Sequence, residues 1–147
     1  MARVYLAGGI EGIPEAIASG WRNKLAAHIA PHSVPLDPMR RTLFQHGGGA
    51  ETIFQDDLAD IHDCEVVAAN LVHGSCTGTK FELGYAFALN RKIVMLCTPE
   101  LANHPFIQCC GTVTTSIEDF FAEVTKACLT SHNTLATPST SSSLNGG

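Results

Sequence analysis

Positive charge is sparse in this chain. Nine lysines and arginines stand against 14 aspartates and glutamates, and they are scattered rather than clustered. The basic stripe that a nucleic-acid backbone needs is therefore missing, and a polymer substrate is not expected. Long apolar runs are missing too. Nothing approaches the roughly 20 residues of a membrane span, and the opening Val4-Tyr5-Leu6-Ala7 is cut short by Gly8-Gly9, without the longer stretch and cleavage site of a signal peptide. The six cysteines form no CxxC pair, and several lie in apolar runs where a reduced thiol acts as a small hydrophobe. We expect a reducing, cytoplasmic setting. The seven histidines show no HExxH or other metal spacing, so no metal is expected. Gly8-Gly9-Ile10-Glu11-Gly12 has the wrong spacing for a dinucleotide fingerprint, and a Walker phosphate loop is absent.

What remains is a 147-residue chain, 45% apolar, of a length that suits one compact domain. Short apolar runs alternate with helical patterns. Arg3 to Ala7, Glu65 to Leu71 and Ile93 to Cys97 read as buried strands, Ser33 to Leu36 as a weaker one demoted by Pro35, and Thr112 to Thr114 as a short edge strand. Helices are predicted between them. The first carries Ile17, Trp21, Leu25 and Ile29 on one face, with Pro14 near its start and Pro31 closing it. The second runs from Glu51 to Asp63 with Phe54, Leu58 and Ile61 inward. A third runs from about Lys80 to Asn90, and a last one begins at Ser116 with Ile117, Phe120, Phe121, Val124 and Leu129 as its apolar contacts. The alternation predicts an α/β, flavodoxin-like three-layer sandwich with a mostly parallel sheet of about five strands. We place the domain at residues 1–129 and expect the Ser, Thr, Asn and Gly-rich segment 130–147 to be disordered.

In such a sheet, ligands bind beyond the carboxyl ends of the strands. Three loops leave those ends: Gly8 to Pro14, Asp37 to Ala50 and Leu71 to Thr79. Glu82 stands out among Phe81, Leu83, Tyr85, Ala86 and Phe87, a carboxylate in apolar company near a helix start. It is either a cap for its own helix or a nucleophile, kept ionised by the helix N-terminus against the pull of burial. Asp57 borders the inward stripe of its helix, where it either faces a cleft or joins Asp56 and Asp60 on a solvated face. Tyr5 is either a core aromatic or a hydroxyl donor to a carboxylate. Asn70 faces the choice between loop hydrogen bonding and ligand contact, and Asp37 between a turn and a contact. Arg40 and Arg41 can meet a phosphate or solvent. Cys76 is a weak nucleophile candidate, with His73 its one nearby base.

With these residues laid out, the chain resembles the nucleoside 2-deoxyribosyltransferase family and the related nucleoside 5′-monophosphate N-glycosidases, from Val4 to about Phe121. Three segments carry the likeness: Val4-Tyr5-Leu6-Ala7-Gly8; Asp57-Leu58 followed by Asp63-Cys64-Glu65-Val66-Val67-Ala68; and Gly78-Thr79-Lys80-Phe81-Glu82-Leu83-Gly84-Tyr85-Ala86. The resemblance implies that Glu82 attacks C1′ of a deoxyribose to form a covalent glycosyl-enzyme. A proton delivered by way of Asp57 helps the base leave, and Tyr5 holds Glu82 in register. It implies no metal or organic cofactor, a deoxynucleoside and a free nucleobase as partners, and a homo-oligomer whose subunits share sites.

Gly8, Gly9, Asp37, Asn70, Ser75, Cys76, Gly78 and the neighbour-supplied Gln108 are the candidate substrate contacts. One departure matters: the transferases commonly place an aspartate six residues before the nucleophile, where this chain has Cys76. The nucleotide-cleaving relatives carry a serine there to meet a phosphate, and Ser75 or Thr77 is the nearest hydroxyl. The expected activity is therefore base exchange on 2′-deoxynucleosides. The alternatives are hydrolysis of a deoxynucleoside 5′-monophosphate and a noncatalytic nucleotide-binding module.

Overall fold

The computed structural model describes residues 1–42 and 49–131. The middle of the loop between Asp37 and Ala50 and the segment 132–147 lie outside them, as does the expectation of disorder attached to that segment. The strands are β1 (Ala2–Gly8), β2 (Ser33–Leu36), β3 (Val66–Asn70), β4 (Lys92–Leu96) and β5 (Thr112–Thr114). They form one parallel sheet in the order β2-β1-β3-β4-β5. This is the flavodoxin-like order expected from the alternation, and its chain reverses direction across the sheet between β1 and β3.

Strand side chains alternate between two helix layers. Val4 and Leu6 of β1, Val66 and Ala68 of β3, and Val94 and Leu96 of β4 pack against α1 (Glu15–Ile29) and α7 (Ile117–Ser131) through Leu25, Ile29, Phe120 and Val124. Tyr5, Ala7, Val67, Ala69 and Met95 face the other way. There they meet α3 (Gly49–Asp63), α4 (Thr77–Ala88) and α6 (Pro105–Cys110) through Ile61, Leu83, Ala86 and Ile107. Each large side chain so buried contributes about 1.5–3 kcal/mol.

The helix faces differ from the expected ones in three places. In α1 the inward stripe is Ala18, Arg22, Leu25 and Ile29, whereas Ile17 is exposed. Both stripes share Leu25 and Ile29, so four-residue spacing could not separate them, and an arginine concealed the true one. In α3 only Ile61 is fully buried and Phe54 is exposed, and in α7 Ile117 and Leu129 are exposed while Cys128 is buried. Three short helices, α2 (Pro38–Thr42), α5 (Pro99–Ala102) and α6, fall where no helix was expected, because one or two turns carry too little periodicity to read. Helix α7 extends to a buried Ser131, two residues past the expected domain end.

Candidate active site

The loops after β1 and β3 meet at the switch point of the sheet and enclose a cavity of about 450 Å³. Gly8, Gly9, Glu11 and Ile13 line it from the first loop, Ile53 and Asp57 from α3, and His73 to Gly78 together with Glu82 from the second loop and α4. Gly9 is required by space: a Cβ there would sit 2.9 Å from the His73 carbonyl oxygen. The two loops are thus pressed backbone to backbone. A second, more apolar cavity of about 330 Å³ opens beside the first, lined by Ala50, Phe54, Leu58 and Phe81, with Ile53, Asp57, Gly78 and Glu82 common to both. The two carboxylates stand at the junction of a polar space and an apolar one.

Glu82 owes its place to α4, which begins at Thr77, three residues earlier than expected. It is the sixth residue of the helix, in the second turn, and the helix-end field falls off within the first turn. The capping reading fails on this geometry. The Glu82 carboxylate reaches instead across to β1, where the Tyr5 hydroxyl donates a hydrogen bond to Oε2. Tyr5 is 1% exposed and belongs to the core cluster, so both readings of this residue hold at once.

Burial pushes the Glu82 carboxyl up from an ordinary 4.5 to about 7. The Tyr5 hydrogen bond opposes that rise, the neighbouring Asp57 charge adds to it, and the Arg22 charge opposes it. The helix N-terminus was expected to hold the group ionised; burial outweighs it because the carboxylate sits a turn too deep.

The loop between β3 and α4 is held by its own side chains. Asn70 is buried, and its Oδ1 accepts from the Val72 amide at 3.0 Å, a loop-closing bond rather than a contact in the cavity. Cys76 lies at the N-cap of α4 with φ 51°, the left-handed region. Its Sγ donates to the His73 carbonyl at 3.0 Å, and burial raises its thiol, which disfavours the reactive thiolate. Ser75 and Thr77 flank it, exposed, with Thr77 Oγ1 donating to Ser75 Oγ at 3.2 Å.

Asp37 does not line the cavity: its Oδ1 accepts from the Met39 amide at 2.9 Å and lies 3.8 Å from Arg22 Nε. Arg40 is exposed on α2. Gln108 is exposed on α6 and is not among the residues that line this chain's own cavity, with its Nε2 donating to the Ala102 carbonyl at 3.2 Å. The structure therefore brings together Tyr5, Gly8, Gly9, Asp57, Ser75, Cys76, Gly78 and Glu82, and leaves Asp37 and Asn70 outside. Sequence reasoning missed Arg22, 0% exposed beneath the first loop, and the cavity-lining Glu11, Ile13 and Ile53. An arginine three residues before Leu25 and seven before Ile29 was the available signal for the first.

Among the described residues no three metal-ligating side chains converge, and no helix is long and apolar enough to cross a membrane. The fold and site define an α/β domain with a paired-carboxylate pocket at its switch point. The family model for nucleoside 2-deoxyribosyltransferase matches residues 4–130, and the chain belongs to that family. No curated protein sequence matches it at a significant level.

Solved structures share the fold. A 2-deoxyribosyltransferase from Bacillus psychrosaccharolyticus superposes with a TM-score of 0.68 at 16% identity, covering 80% of this chain and 89% of that one. A 2-deoxyribosyltransferase from Leishmania mexicana gives 0.67 at 23% identity, covering 86% and 98%. A CMP N-glycosidase from Clostridium botulinum gives 0.58 at 15% identity, covering 83% and 97%.

Proposed function

We propose that this protein exchanges nucleobases on 2′-deoxynucleosides through a covalent intermediate on Glu82. The observation that carries the reading is the Glu82 carboxylate, held by the Tyr5 hydroxyl in a cavity that Asp57 also lines. A lone pair of the Glu82 carboxylate forms a bond to C1′ as the C1′–N bond breaks. The electrons of that bond leave with the base, which takes up a proton by way of Asp57. A nitrogen of the second base then attacks C1′, expels the carboxylate and loses its proton. Two inversions give net retention, the logic of a retaining glycosidase.

The pKa of about 7 suits this role: a carboxylate stripped of water is a stronger nucleophile than one in solvent, and at neutral pH a large fraction is still ionised. The test is incubation with a deoxynucleoside and a different free base, with intact mass spectrometry on a slow fluorinated deoxynucleoside. A new nucleoside and a deoxyribosyl-mass adduct, absent from Glu82→Ala, are expected. No exchange across several purine and pyrimidine pairs refutes the reading.

A second reading, hydrolysis of a deoxynucleoside 5′-monophosphate, is favoured by the residues around Cys76. Its buried thiol cannot replace a sugar-binding carboxylate, whereas Ser75 and Thr77 expose hydroxyls beside an α4 N-terminus that has no side-chain cap. That rim suits a phosphate, and the Clostridium botulinum relative acts on a nucleoside monophosphate. Base release that requires the 5′-phosphate supports this reading; equal release without it counts against it.

Oligomerisation fits the same site. Phe54, Phe81, Phe87 and Phe106 are 48%, 59%, 58% and 83% exposed on α3, α4 and α6. At roughly 200 Å² per phenylalanine, these four expose about 500 Å², against the ~800 Å² per partner of a standard interface. Phe54 and Phe81 line one apolar hollow and Phe87 and Phe106 another, and a second copy of this chain that covers the first closes the apolar side of the site, where Phe81 adjoins Glu82. A cytoplasmic setting fits the six free thiols.

A further inference from the structure

We infer that Arg22 is a positioning residue for this reaction: from the helix layer opposite the pocket, its guanidinium fixes the carboxyl end of β1, and with it the Gly8 wall and the Tyr5–Glu82 hydrogen bond. The inference rests on the reading of Glu82 as nucleophile.

Arg22 has no exposed surface. Burying a charge costs several kcal/mol unless partners compensate it, and an apolar side chain of similar volume often serves stability as well or better. The use of a guanidinium here is therefore sought in what it holds. Pairing between β1 and β2 ends at Tyr5 opposite Leu36, while β1 continues to Gly8 against β3 alone. Beyond that last pair, Arg22 Nε donates to the Leu6 carbonyl at 3.2 Å and Nη2 to the Gly8 carbonyl at 2.9 Å. Leu6 and Gly8 are two apart, so their carbonyls face the same edge of the strand. The planar fork takes over where β2 stops, a task a lysine's single ammonium performs poorly.

Nη1 anchors the group to the Ala18 carbonyl at 2.6 Å, and Asp37 supplies the countercharge from the end of β2. The fit is close. A Cβ on Gly8 would come within 3.2 Å of Nη2 and 2.8 Å of the Trp21 ring. Gly8 is part of the cavity wall, and Tyr5 lies three residues earlier on the strand so held.

The charge acts as well as the shape. Glu82 is faced by Tyr5 from β1 and Asp57 from α3, with Glu11 and His73 on the loops around the cavity. Against burial and the Asp57 charge, the field of Arg22 favours the ionised carboxylate.

The test compares Arg22→Met, Arg22→Lys and Asp37→Asn with the wild type. It reads thermal melting, kcat and KM for base exchange, and the Glu82 carboxylate titration by carbon-13 NMR in the ligand-free protein. For Arg22→Met, the Glu82 midpoint moves upward and kcat falls about 100-fold, the scale of a misplaced reacting group. Arg22→Lys keeps the midpoint near that of the wild type and loses about tenfold in kcat. Asp37→Asn, which leaves the Arg22 charge unneutralised, moves the midpoint downward. If Arg22→Met does not fold, the other two variants decide. An unchanged midpoint in Arg22→Met or, failing that, in Asp37→Asn, with kcat lost only in proportion to the folded fraction, overturns the proposal. A wild type with no turnover and no adduct, but with the same NMR shifts among its variants, overturns the nucleophile reading and supports the hold of Arg22 on Glu82.

Discussion

Replacing Glu82 with glutamine is expected to make the protein more stable, by an amount that depends on pH. The carboxyl titrates near 7 in the fold against 4.5 in its ordinary state. A raised carboxyl pKa means that the folded state disfavours the charged form. Below about 4.5 the group is neutral both folded and unfolded, and no penalty arises. Between 4.5 and 7 the unfolded chain ionises first and the fold loses stability relative to it; above 7 the loss is complete. At about 1.4 kcal/mol per pKa unit, the full loss is about 3 kcal/mol. Glutamine, never charged, escapes it. Urea unfolding of wild type and Glu82→Gln at fixed protein concentration is the assay. The difference in unfolding free energy should widen by about 3 kcal/mol from pH 4.5 to pH 8, which at an m-value of ~2 kcal/mol/M separates the midpoints by roughly 1.5 M. A gap of the same size at both pH values, or a variant less stable at pH 8 than at pH 4.5 relative to wild type, refutes the account of Glu82 as a carboxylate strained by burial. Stability given up for an ionised group in a dry pocket is the trade expected of a reactive residue.

Other changes test the surroundings. On the proposed reading of ionised Glu82 as the nucleophile, kcat/KM should rise with pH through an acidic limb near 7. Tyr5→Phe removes the hydrogen bond that favours the charged form, so the limb should move upward and activity at pH 7 fall ~10-fold or more, with partial recovery at higher pH in a pH–rate series. Gly9→Ala drives a methyl to 2.9 Å from the His73 carbonyl, and turnover should fall more than melting temperature, since the two cavity loops must part while the sheet stays intact. Phe106→Ser should weaken self-association in sedimentation experiments while leaving the circular dichroism spectrum unchanged, because its ring is 83% exposed. Ile61→Ala, at a fully buried position between α3 and the sheet, should cost about 3 kcal/mol in urea unfolding.

The sequence by itself determined the sheet and its covering. Apolar runs such as Val66 to Ala69 and Ile93 to Leu96, lacking polar alternation, require helices on both faces, and their spacing along the chain dictates parallel strands. It also marked Glu82, because a carboxylate among Phe81, Leu83 and Tyr85 is costly enough to read without coordinates. Periodicity resolves less where a stripe contains a charge: Arg22 disguised the buried face of α1, and the exposed Phe54 and Ile17 imitated core positions.

Only the tertiary structure decided which candidates meet. Tyr5 and Glu82 are 77 residues apart, and their contact depends on β1 and β3 lying side by side with α4 packed on the face that the tyrosine presents. Asp37 and Asn70 had the residue types of ligand contacts, yet Asn70 turns to hold its own loop and Asp37 pairs with Arg22, whereas Cys76 bonds its own loop and still lines the cavity. A polar side chain beside a pocket satisfies either a ligand or the backbone around it. Which of these it does is fixed by distances of a few ångströms that no spacing along the chain encodes.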